Sequence, residues 1–205
     1  MRNTHKLLAV AALMIGAASA NATSLEWVNV TGASPPEPNT FQTWDLNLTL
    51  TGSDDFLSAR LHAAGTFYQD AFGSDNAPPN PALVSVFPSL AFDTFVASPA
   101  GSATVLGKFD GSNSNPNTDT GEGPPPATFS ASELAIVWGD TVTSSPGTYP
   151  IAQITFSGAV PSIVGRASFG SSANIQNAAL PQIPEPISLG LVAIGATTML
   201  RKPRK

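Results

Sequence analysis

From residue 43 to 51 the chain alternates without a break. Trp44, Leu46, Leu48 and Leu50 are apolar, and Thr43, Asp45, Asn47, Thr49 and Thr51 between and beside them are polar. A period of two predicts a half-buried strand, with the apolar row facing a core and the polar row facing water. Gly52-Ser53-Asp54-Asp55 is turn chemistry, and Leu57, Ala59, Leu61 and Ala63 then alternate again, so the two runs are expected to form a hairpin. Residues 24–31, 83–87, 90–97, 103–109, 151–158 and 162–169 are further strand candidates. Residues 129–139 are apolar on both faces around Ala135, Ile136, Val137 and Trp138, which predicts a central strand. Between residues 23 and 183 no stretch carries a sustained helical period with caps. Short strands separated by turn signals predict an all-β domain, an antiparallel β-sandwich of jelly-roll or Ig-like kind with eight or nine strands.

Three segments read as long surface loops: residues 31–40 with Pro35-Pro36-Glu37-Pro38, residues 70–81 with Pro78-Pro79, and residues 111–127 with Pro124-Pro125-Pro126. Proline runs prefer an extended backbone without ladder bonds. The sandwich is expected over residues 23–170. Residues 171–182 are polar and rich in small side chains, which reads as a flexible spacer.

Both ends carry signals. Arg2, His5 and Lys6 precede an apolar run over residues 7–18, then Ala18-Ser19-Ala20 and Ala20-Asn21-Ala22, so residues 1–22 read as a signal helix removed by signal peptidase. At the other end Pro184-Glu185-Pro186 precede an uncharged stretch, residues 187–200, and the basic residues Arg201, Lys202, Arg204 and Lys205. As a helix that stretch would rise about 21 Å, short of the roughly 30 Å hydrocarbon core. Its cations cannot enter a protein core but can snorkel at a cytoplasmic face. Everything between two basic ends held inside must lie outside the cytoplasm.

Residues 183–205, in that order of motif, apolar helix and basic stop, resemble the PEP-CTERM sorting signal. The resemblance is confined to this tail. It implies recognition by an exosortase, a membrane transpeptidase-like enzyme that cleaves near the motif and passes the protein to the cell surface. It also implies a setting of exopolysaccharide and extracellular matrix, with transient anchoring in the inner membrane before processing.

With both signals set aside, the composition changes meaning. Residues 23–183 hold thirteen acids and only three bases (Arg60, Lys108 and Arg166), a formal charge of −10 against −5 for the whole chain. Such a surface repels nucleic acid. There is no cysteine, so packing and hydrogen bonding must supply the stability.

Catalytic chemistry is sparse. His62 is the one histidine of the exported region and falls on the outward row with Ser58 and Arg60. No Gly-x-Ser-x-Gly elbow accompanies it. The acids Asp54, Asp55, Asp93, Glu133 and Asp140 could form a hydrolytic pair only if the fold brought two of them face to face. No tightly bound cofactor is expected. Asp110, Asn113, Asn115 and Asp119 alternate oxygen-bearing side chains as a weak Ca2+ loop would. Phe67, Tyr68, Asp70 and Phe72 group rings with a carboxylate as a glycan platform would. The expectation is a non-enzymatic exported surface protein, with a carbohydrate-binding module as the alternative and a small secreted hydrolase third.

Overall fold

The computed structural model describes residues 22–31, 41–109, 111, 126–171 and 173–185. The expected signal helix, the expected C-terminal apolar helix and the residues expected to form a Ca2+ loop lie outside them. Among the described residues eleven strands form two antiparallel sheets. The first holds β1 (Ser24–Asn29), β2 (Phe41–Leu50), β9 (Gly147–Ser157), β4 (Thr66–Phe67) and β5 (Phe95–Val96), in the order β1-β2-β9, with β4 and β5 sharing the far edge of β9. The second runs β11 (Asn174–Ala179), β10 (Ile163–Ser171), β3 (Asp55–Ala64), β8 (Glu133–Gly139) and β6 (Thr104–Gly107), with β7 (Thr128–Phe129) beside β6 on β8.

The apolar rows of both sheets meet in one core. Trp44, Leu46, Leu48 and Leu50 of β2 are buried as the alternation predicts, and Ile136 and Trp138 of β8 meet them from the opposite sheet. β8 is central, paired to β3 on one side and to β6 and β7 on the other. Trp138, fully buried, satisfies its indole N–H on the Ala97 carbonyl at 3.0 Å, as a buried tryptophan usually does, whereas the buried Trp44 indole N–H has no partner.

The structure corrects five local expectations. The turn after β2 is an arch rather than a hairpin, because β2 and β3 lie in different sheets. Gly52, at φ +62°, supplies the left-handed turn residue, and the two apolar rows reach the core from opposite sides. In β3 the ladder to β10 slips between Ser168 and Phe169. This bulge puts Phe56 rather than Leu57 in the core. Residues 83–87 hold no strand, and of residues 90–97 only Phe95–Val96 is strand. A short helix, α1 (Pro81–Val84), and a 3-10 turn (Pro88–Phe92) run into these segments, each opened by a proline whose missing N–H costs nothing there. Thr43, read as facing water, is only 3% exposed. Finally, residues 174–179 of the expected spacer form the edge strand β11 on β10. Arg60 keeps its outward direction but is buried, with its guanidinium 4.7 Å from the centre of the Phe109 ring.

Candidate functional site

The burial of Thr43 follows from what covers the first sheet. Between β4 and β5 the chain leaves the edge of β9, and residues 68–94 pack over the outer face before returning. Asn80 starts α1 by accepting the Ala82 N–H at 2.9 Å, a side-chain cap. Asp93, 1% exposed, accepts the Asp70 N–H at 2.8 Å and so fixes the other end of the segment. Gly73 leaves room for the Asp93 carboxylate, which a Cβ at this position would force to move. Beneath the segment, Thr43 and Thr155 share a hydroxyl hydrogen bond at 2.9 Å, and Thr94 bonds the Thr155 backbone. Once covered, these polar groups satisfy one another.

Beside this polar staple the covering segment stands away from the sheet and leaves an open cleft of about 320 Å3. Strand register builds its floor. Asp45 of β2 lies opposite Gln153 of β9, and Gln153 lies opposite Phe95 of β5. A carboxylate, an amide and an aromatic ring therefore stand in a row across three strands. The walls are largely proline: Pro78, Pro79 and Pro81 from the covering segment, and Pro150 from β9. Pro150 sits where the β2–β9 ladder shifts register, a position that tolerates the lost donor.

The polar chemistry of the cleft is one-sided. Gln153 donates Nε2 to the carbonyls of Ala91 at 3.0 Å and Asp93 at 2.7 Å, so both amide hydrogens are committed to holding the cover. Asp45 Oδ1 is buried and has no hydrogen-bond partner. Burial pushes the Asp45 carboxyl up to about 6. An ionised carboxylate there is poorly solvated, the condition in which a positively charged or donating group gains most. Asp45 was expected on a water-facing row, and Gln153 carried no functional signal in the sequence. The faint clue was Pro150 inside a strand-forming run, together with Pro78-Pro79 and Pro81.

The other candidates are dispersed. Phe67 is in the core at 3% exposure and is closed to any ligand. Tyr68 packs edge-on against Phe41 at 5.5 Å and donates its hydroxyl to Asp70 at 3.2 Å. Asp70 also accepts the Phe72 N–H at 2.9 Å. Phe72 is 69% exposed and stacks on Phe87 at 5.2 Å. The expected four-residue platform is thus split between core, local turn and a solvent-facing ring pair. His62 Nε2 lies 3.3 Å from Glu133, whose other oxygen pairs with Lys108 Nζ at 3.7 Å, a polar cluster at the rim of the second sheet. Asp54 accepts from Thr23, and Asp55 and Asp140 accept backbone N–H groups of Ser144 and Val142. Each accepts a hydrogen bond within the fold, while Asp140 Oδ2 is buried without a partner.

Asp110, Asn113, Asn115 and Asp119 lie outside the described residues. Among the described residues no group of three or more His, Cys, Asp or Glu side chains is placed to hold a metal ion, and no helix is long and apolar enough to cross a membrane. Pro184 and Glu185 are exposed, directly after buried Ile183. Pro186, Arg201, Lys202, Arg204 and Lys205 lie outside the described residues. No protein-family model matches the chain, and neither a curated protein nor a solved structure matches it.

Proposed function

We propose that this chain is a non-enzymatic surface or extracellular-matrix protein, exported, cut near Pro184-Glu185-Pro186 by an exosortase, and left in the envelope or matrix with its β-domain intact. The observation that carries this reading is where burial ends among the described residues. Leu180 and Ile183 are buried, and the next two residues, the first of the expected sorting motif, are exposed. A cut at or after the motif leaves every described core residue on the β-domain side. The broad architecture suits the role, since a sandwich of the jelly-roll or Ig-like kind presents loops and outer faces on a rigid frame. That finer assignment rests on the crossings from β2 to β3, β8 to β9 and β9 to β10, each of which changes sheet.

Cell fractionation of wild type against Pro184→Ala/Glu185→Ala tests it. The wild-type protein is expected at the surface or in the medium, and the variant in the inner membrane. An identical distribution of the two would contradict the proposal. A second reading, a carbohydrate-binding module, is favoured by one observation, the exposed Phe72–Phe87 ring pair next to Asp70. Retention on a glycan array that is lost in Phe72→Ala would select it.

A further inference from the structure

The cleft between the first sheet and its proline-rich cover is a feature that sorting and surface display do not use. We propose that it is a binding site for a primary alkylammonium group, with the Asp45 carboxylate taking the cation and the proline and Phe95 walls taking the alkyl stem.

Three properties converge on that ligand class. The first is the hydrogen-bond inventory of the lining. Prolines have no N–H, and the one side-chain amide, Gln153, has both hydrogens committed to Ala91 and Asp93. What the side chains of the floor still offer are acceptors, the carboxylate of Asp45, which lines the cleft while its Oδ1 is buried without a partner, and the carbonyl oxygen of Gln153. A ligand that must receive hydrogen bonds, such as a carboxylate or phosphate, finds no side-chain donor here. An ammonium, with three donors and no acceptor, is the complement.

The second property is charge. Asp45 is the only ionisable residue of the lining. The charged groups on the elements around it are acids as well: Glu26, two positions along from Val28, which pairs with Asp45 on β1, and Asp75 and Asp93 in the cover. Asp93 spends its carboxylate on the Asp70 N–H. An incoming cation meets attraction from each of them, and the domain as a whole steers it in.

The third is size and wall chemistry. About 320 Å3 falls at the small end of ligand sites, where apolar walls hold most of the ligand and a few polar groups orient it. A short aliphatic chain buries its carbons against Pro78, Pro79, Pro81 and Phe95 while its ammonium reaches the floor. The burial that holds the empty Asp45 carboxyl near 6 is offset by the bound cation, so binding couples to ionisation of this one group.

Calorimetric titration of the full-length protein with n-pentylammonium chloride, 1-pentanol and Nα-acetyl-lysine amide tests the assignment. At pH 8 pentylammonium is expected to bind at least about tenfold more tightly than pentanol of the same shape, because only the ammonium carries a charge opposite to that of the carboxylate. At pH 5, where a carboxyl titrating near 6 is mostly protonated, its affinity is expected to fall roughly tenfold. Asp45→Asn, nearly isosteric and relieved of a buried charge, should abolish the preference for the ammonium while keeping the fold. Val84→Trp, which fills the cleft from the cover and leaves Asp45 in place, should abolish binding of both small probes. Binding of the lysine derivative alongside pentylammonium assigns the site to a lysine side chain, and binding of pentylammonium alone assigns it to a free amine. Equal binding of pentylammonium and pentanol, an ammonium preference that survives Asp45→Asn, or no binding of either cation overturns the proposal. None of these outcomes depends on whether the tail is processed.

Discussion

Trp27 donates its indole N–H to the carbonyl of Pro181 at 2.8 Å, tying the first strand to the last residues of the domain. Gln182 adds a second clasp, accepting the Ile163 N–H at 3.0 Å and donating back to the Ile163 carbonyl. On either side of these bonds Leu180 and Ile183 drop into the core. Residues 180–183 therefore latch the β-domain, and the proposed sorting motif begins at the next residue.

Shortening the chain from the C-terminus locates that boundary. A chain ending at Ile183 should unfold at the same denaturant midpoint as one ending at Pro186. A chain ending at Ala179 loses two buried aliphatic side chains and the Trp27 bond, and should be less stable by on the order of 4 kcal/mol. Equal stability of the two truncations in a urea titration would remove the latch from the account.

The β2 register has its own test. Trp44→Ala should cost on the order of 3 to 5 kcal/mol as a buried aromatic truncation, and Thr49→Ala should stay within about 0.5 kcal/mol. Thr43 separates the covered sheet from a bare one. Its hydroxyl is buried against Thr155 at 2.9 Å, so Thr43→Ala should cost roughly 1 to 2 kcal/mol by orphaning that partner. If Thr43→Ala were as mild as Thr49→Ala, the cover over this face would be wrong.

Asp45 gives the stability an unusual pH dependence. Its folded carboxyl is raised from 3.8 to about 6, with burial as the cause, so the folded state holds the proton more tightly than the unfolded one. Stability from this group is present at low pH and is lost as pH rises through about 6. Asp93 is raised to about 6 as well, chiefly by burial, and acts with the same sign. Asp45→Asn should accordingly stabilise the protein at pH 7.5 by on the order of 1 to 2 kcal/mol, after allowance for partial exposure, and by almost nothing at pH 4. Denaturant midpoints of both proteins at the two pH values check this. A gain that persists at pH 4 would show that the carboxylate charge is not its source.

What the sequence discloses and what it hides divide along the range of the interactions involved. The β2 row from Trp44 to Leu50 is readable because period-two alternation is local and one face meets the core. The arch after Gly52 is not, since hairpin and arch share the same turn residues and only the distant partners of β2 and β3 tell them apart. Phe56 displaces Leu57 through a bulge that no alternation pattern announces. Residues 83–97 carry strand-like apolar runs, and Pro81 and Pro88 were the overlooked helix-start signals. β11 is an edge strand with Asn174, Gln176 and Asn177 exposed, so it has little apolar periodicity to detect and resembles a linker. The cleft was the least readable feature. Asp45 acquires its chemistry from Gln153, Phe95 and a proline wall more than thirty residues distant in sequence, and only the folded register brings them together.

The central claim is that the chain is delivered as a β-domain ending at its latch, with the tail removed. Intact-mass measurement of the protein recovered from the surface or medium of wild-type cells tests it most directly. We expect a species that begins after Ala20 or Ala22 and ends close to Pro186, retaining Ile183 and lacking Arg201 to Lys205. A surface protein that still ends at Lys205, or one cut upstream of Leu180, would contradict the account.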